Sequence, residues 1–141
     1  MSARTVTLQL PESLYIRFQQ AAQATRRSLD DVLLHAVGVG SPPRWDNAPA
    51  KFQADLAALD RLDDDALWRI ARSHETEAGM ERYQELLDKN ADGALSAGER
   101  DALANLRIES DRFMLCKAHA AALLRWRGHQ IPPAEALRDA A

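Results

Sequence analysis

The stretch with the densest chemistry is "DKNADGALSAGE", Asp88 to Glu99. Oxygen donors fall at positions 1, 3, 5 and 9 of a twelve-residue loop: Asp88, Asn90, Asp92 and Ser96. A glycine, Gly93, stands at position 6, where a calcium loop must turn sharply. Glu99 stands at position 12, where two carboxylate oxygens would clamp the ion. The same residues also read as a helical hairpin. Gly93 then supplies a left-handed turn after one helix, and Ser96 with Glu99 forms a capping box for the next. Calcium loops of this kind usually come in pairs, and no second loop occurs in this chain. Arg100 follows Glu99, where such loops usually resume with an apolar side chain. Both readings stand, calcium binding and helix capping, and no other metal or cofactor is expected.

The second stretch is "TVTLQLPESL", Thr5 to Leu14. Thr5, Thr7 and Gln9 alternate with Val6, Leu8 and Leu10, the period-two pattern of a strand with one buried face. Hydroxyl and amide tips at that spacing suit the reading of base edges. Gln can make paired hydrogen bonds to adenine, and Thr can bond a base edge or pack on the thymine methyl.

Little else is suited to catalysis. His35, His74, His119 and His129 are scattered, none at metal-ligand spacing from another His or a Cys. No glycine-rich phosphate loop, Gly-x-Ser-x-Gly or Cys-x-x-Cys occurs. Cys116, the lone cysteine, sits mid-helix and reads as a packing residue. The sequence therefore gives no reason to expect an enzyme. A lone cysteine also allows no intrachain disulfide, which suits a reducing cytoplasm. The longest apolar run, "AHAAALL", is too short to span a bilayer. A cytoplasmic protein without a membrane partner is the expectation.

The elements that must position these residues follow from pattern. Of the 141 residues, 46% are apolar and 28% charged, enough for a packed core and too ordered in pattern for a disordered chain. The formal net charge of −3 removes overall basicity as an argument for nucleic acid, but leaves a local site open. After the strand at 5–10, a helix begins near Pro11, with Leu14, Phe18, Ala21 and Ala22 on one face. Ser28 caps a second helix bearing Leu29, Val32, Leu33, Ala36 and Val37. "GVGSPPRWDNAPA" is rich in glycine and proline and marks a boundary. The division is then 1–40 as a dimerisation and DNA-binding domain, 41–50 as linker, 51–130 as a helical partner-binding domain and 131–141 as a flexible tail. Within 51–130, helices are expected at Phe52–Leu62, through "DDALWRIARS", from Thr76 to about Lys89, and from Ser96 to Arg127.

A lone strand leaves its backbone N–H and C=O groups unpaired. Pairing with the same strand of a second copy, about a two-fold axis, would complete a ribbon that fits the major groove of DNA. Arg4 could touch phosphates, and the amides at the start of the second helix, around Ser28 and Leu29, form a phosphate seat. At this point "RTVTLQLPESLYIRFQQAAQATRRSLDDVLLHAV" resembles the ribbon-helix-helix repressors of the MetJ, Arc and CopG type. The resemblance implies a mostly α fold: one strand and two helices, completed by a two-stranded intermolecular ribbon and followed by a C-terminal helical hairpin or bundle. It implies a homodimeric repressor of double-stranded DNA, with base contacts on Thr5, Thr7 and Gln9 and phosphate contacts on Arg27, Ser28 and Leu29. Many such proteins are antitoxins whose C-terminal extension binds a toxin, so a toxin partner is part of the expectation. The turn between the two helices often carries glycine in that family. Here it reads Thr25-Arg26-Arg27, and a left-handed residue other than glycine costs roughly 1 kcal/mol. The competing reading is a dimeric adaptor that binds no DNA.

The longest helix carries two stripes. Leu103, Leu106, Met114, Ala121 and Leu124 would pack on the preceding helix through Tyr83, Leu86 and Leu87. Ile108, Leu115, Ala122 and Trp126 form a second stripe. It is either covered by Phe52, Leu56, Leu59, Leu67, Trp68 and Ile70 of the same chain or offered to a protein partner.

Overall fold

The computed structural model describes residues 2–139, so the last two residues of the expected tail lie outside it. Seven helices occur among them: α1 (Glu12–Thr25), α2 (Leu29–Val39), α3 (Ala50–Leu59), α4 (Asp64–Arg72), α5 (Glu77–Ala91), α6 (Ala97–Trp126) and α7 (Ala134–Asp139). The chain divides into two units, 1–41 and 42–141.

No strand occurs among the described residues, which corrects the expected ribbon-helix-helix fold class. Residues 5–10 have the alternating pattern but no regular structure. Alternation chooses a face only where a ladder exists, and a ladder needs a second backbone offering free N–H and C=O groups. Every regular element among the described residues is a helix that spends those groups on itself. Val6 accordingly remains 83% exposed.

In unit 1, α1 and α2 pack on each other, and Ala22 is the one buried apolar residue among those described. Ser28 caps α2 by accepting the Asp31 amide at 3.0 Å. Arg26 ends α1 in the left-handed conformation, φ 55° and ψ 42°. The Arg27 amide reaches the Ala22 carbonyl, and the Arg26 amide that of Gln23, a Schellman closure made without glycine.

In unit 2, α6 is the spine. Its C-terminal half packs against α3 and α4, where Leu56, Leu59, Leu67, Ala71, Ala120, Leu123, Leu124 and Leu137 form the core. Its N-terminal half packs against α5, with Leu86 and Leu103 buried. Side-chain caps start the helices where the sequence provides them: Asp63 before α4, Thr76 before α5 and Ser96 before α6. Gly93 and Gly128, both at positive φ, close α5 and α6 with the same Schellman pattern.

Two segments expected to be loose are packed. Trp45 and Ala48, within the expected linker, lie against the core. The expected tail turns back at Gly128 (φ 102°), brings Ile131 onto the core and buries Leu137 there.

Candidate functional site

Unit 1 carries the residues expected to meet DNA. Arg4, Thr5, Thr7, Gln9 and Arg27 are all exposed. Arg4 and Val6 line a shallow hollow with Asp30, Leu33, Leu34 and Val37, which sets Arg4 beside the first turn of α2. Ser28 is the exposed N-cap and Leu29 the half-buried first residue of the helix. Because Ser28 Oγ takes only the Asp31 amide, the amides of Leu29 and Asp30 remain open donors at the positive end of the helix. Against this, the carboxylates of Asp30 and Asp31 already complement that end.

Unit 1 also exposes several large apolar side chains. Val6, Leu8, Leu34, Val37 and Val39 are each well over half exposed, and Leu14, Tyr15 and Ile16 are exposed along α1. Val6, Leu34 and Val37 lie together around one hollow, and an apolar surface of this kind marks an interaction site.

The 88–99 loop takes the capping arrangement. Ser96 Oγ accepts the Glu99 amide at 3.1 Å, and Glu99 Oε1 accepts the Ser96 amide at 3.2 Å. Lys89 Nζ donates to Glu99 Oε2 at 2.7 Å. The Lys89 ammonium, helped by the Ser96 amide, pulls the Glu99 carboxyl down to about 2. Asp88 lies within α5 and accepts from Gln84, and Asp92 caps the end of that helix. Both oxygens of the expected clamp are therefore occupied. Among the described residues no group of three or more His, Cys, Asp or Glu side chains is placed to hold a metal ion.

On α6, Leu115 packs against the core, Ile108 and Ala122 are half-buried, and Trp126 is 50% exposed. Arg112 reaches across to Asp55 of α3 at 2.9 Å on this side. Most of the expected partner stripe thus lies beneath or beside α3. The first stripe is covered only in part: Leu103 and Leu124 are buried, while Met114 is 65% exposed. Beside Met114 runs a groove of about 550 Å³, between α6 and the returning segment Ile131–Pro133. Sequence reasoning missed this groove. Its signal was Gly128 followed by "QIPP", a reversal and a stiff arm, but nothing in the sequence says where the arm lands.

A network on the same C-terminal half of α6 was missed too. Asp60 accepts from Trp45 Nε1 and pairs with buried His119, each at 2.9 Å. Asp64 accepts from Arg127 at 2.9 Å and pairs with His129 at 2.7 Å. These neighbours hold the Asp64 carboxyl below its ordinary value, Arg127 contributing most. Arg127 also donates to the Leu62 carbonyl at 2.8 Å. The two pairs fasten the α3–α4 turn to the end of α6. Cys116 is half-buried, and burial pushes its thiol up, with the Asp55 charge adding to the shift. No helix among the described residues is long and apolar enough to cross a membrane.

Comparison with protein-family models, with curated proteins and with solved structures gives no match.

Proposed function

We propose that the protein is a homodimeric DNA-binding regulator of transcription, acting as a repressor through unit 1, with unit 2 as its helical interaction part. The observation that carries the reading is the imbalance within unit 1. A segment of about forty residues buries one alanine and leaves Val6, Leu8, Leu34, Val37 and Val39 in water. A unit that small has too little core to stand by itself, and a second copy is the simplest cover. The surface beside those residues carries Arg4, Thr5, Thr7, Gln9, Arg27 and the open amides of α2, a set suited to phosphates and base edges. An antitoxin role extends this reading, with a toxin as the protein partner.

A dimeric adaptor is the second reading. It is favoured by the near-balance of charge in residues 2–41, where four arginines face three carboxylates, and by Asp30 and Asp31 at the helix start that would meet phosphate.

Gel-shift titration of the full chain against DNA upstream of its own gene separates the two. The regulator reading expects sequence-selective binding that weakens steeply with salt. Gln9→Ala should lose roughly 1–3 kcal/mol of discrimination at one base pair. Equal affinity for specific and random DNA, with Thr7→Ala and Gln9→Ala without effect, would leave the adaptor. Sedimentation of Val37→Asp, expected to be monomeric where the parent chain is dimeric, tests the pairing.

A further inference from the structure

The groove beside Met114 has the composition of a ligand site. Its floor is one face of α6, where Met114, Ala118 and Ala121 follow at helical spacing and the two alanines leave room. Its opposite wall is Ile131, Pro132 and Pro133. That wall is set before any ligand arrives. Gly128 reverses the chain, His129 is tied to Asp64, Ile131 packs on the core, and two prolines stiffen the backbone directly after it.

The rim is cationic. Among the described residues, Lys117 and Arg125 line the groove, no acidic side chain does, and neither cation is joined to a carboxylate. Lys117 lies over the Phe113 ring, 6.0 Å from its centroid. Eight residues of helix separate the two cations, a span of about 12 Å. A linear apolar body with an anionic end matches that layout.

Size decides between a small molecule and a protein. Stable protein interfaces engage roughly 20–30 residues a side, whereas ten of the described residues line this groove. Its volume of about 550 Å³ falls inside the range of small-ligand sites, roughly 300–1,000 Å³.

We propose that the groove between α6 and Ile131–Pro133 binds an anionic single-chain amphiphile of the fatty-acid class. The acyl chain lies over Ala118 and Ala121, and the carboxylate sits at the Arg125 end of the groove. The inference concerns unit 2 alone and does not depend on DNA binding by unit 1.

Calorimetric titration of the full chain with dodecanoate, below its micelle concentration, tests this. Dodecyltrimethylammonium is the cationic control. The expected result is saturable 1:1 binding of dodecanoate and none of the cation. Ala118→Phe, at an exposed position, should fill the groove and weaken dodecanoate roughly tenfold or more, and Arg125→Gln should weaken it by several-fold to roughly tenfold. Circular dichroism of each variant confirms that the fold is kept. Absence of saturable binding, equal binding of the cation, or an Ala118→Phe variant that binds as before would each overturn the proposal. So would a change of sedimenting mass in Ala118→Phe without dodecanoate uptake by the parent, since the groove's occupant would then be a second copy.

Discussion

His119 Nε2 lies 2.9 Å from Asp60 Oδ1, and the Trp45 indole N–H donates to the other oxygen of that carboxylate at the same distance. One aspartate at the end of α3 thus joins the segment before that helix to the middle of α6. His119 is buried, so its ring needs this partner. Replacing His119 by Ala should cost about 1–3 kcal/mol in urea denaturation, the penalty of an unmatched polar group plus a hole. Trp45→Phe keeps an aromatic, though smaller, ring and loses the donor, for at least about 0.5–1.5 kcal/mol. A double-mutant cycle should show the two losses coupled; strict additivity would mean that Asp60 does not connect them.

The left-handed turn ends give a pair of opposite effects. Arg26 holds φ 55° with a side chain that glycine would not need to accommodate. Arg26→Gly should raise the melting temperature of unit 1 at fixed chain concentration, by an amount equivalent to about 1 kcal/mol. Gly128 holds φ 102°, and a Cβ there would meet no atom within 4 Å. Gly128→Ala should still lose about 1–2 kcal/mol, since the penalty lies in the backbone and not in a clash. A neutral Gly128→Ala would show that the turn relaxes.

Core and groove should separate cleanly under truncation. Leu67 and Leu124 are fully buried, and each change to Ala should cost about 2–5 kcal/mol by leaving a cavity. Met114→Ala, on the exposed side of the same long helix, should stay within about 0.5 kcal/mol. A Met114 loss as large as that of Leu124 would mean that something covers the groove in solution.

Acid should weaken the α5–α6 junction. The Glu99 carboxyl sits at about 2 in the folded chain against an ordinary 4.5. A lowered folded value stabilises fully above the ordinary one and is lost as pH falls through the folded one. Denaturation midpoints should therefore drop from about pH 4.5 down to about pH 2. Glu99→Gln, which loses the Lys89 ion pair, should be less stable than the parent at pH 7 and should match it near pH 2. A constant difference across that range would assign Glu99 no charge role.

Local signals were legible in the sequence, and distant pairings were not. Ser28, Ser96 with Glu99, Gly93 and Gly128 each act on the backbone within a few residues, so their helix ends could be read directly. The cost foreseen at Thr25-Arg26-Arg27 falls on Arg26 for the same reason. The strand at 5–10 was misread because alternation records which face would be buried, but a strand also needs a partner that this chain's helices do not offer. Asp60 with His119, and Asp64 with Arg127 and His129, are 59 to 65 residues apart. No periodicity spans such a distance. On α6, two stripes were seen, but which neighbour covers each depends on where Gly128 sends the chain.

The spine has a dynamic consequence. Along its thirty residues, α6 leans first on α5 and then on α3 and α4, and Leu86 and Leu103 lie outside the cluster that Leu124 belongs to. A helix shared by two unequal supports should open from its weaker end. Deuterium should enter its early amides well before those around Leu123, grading one continuous helix into a fast and a slow half.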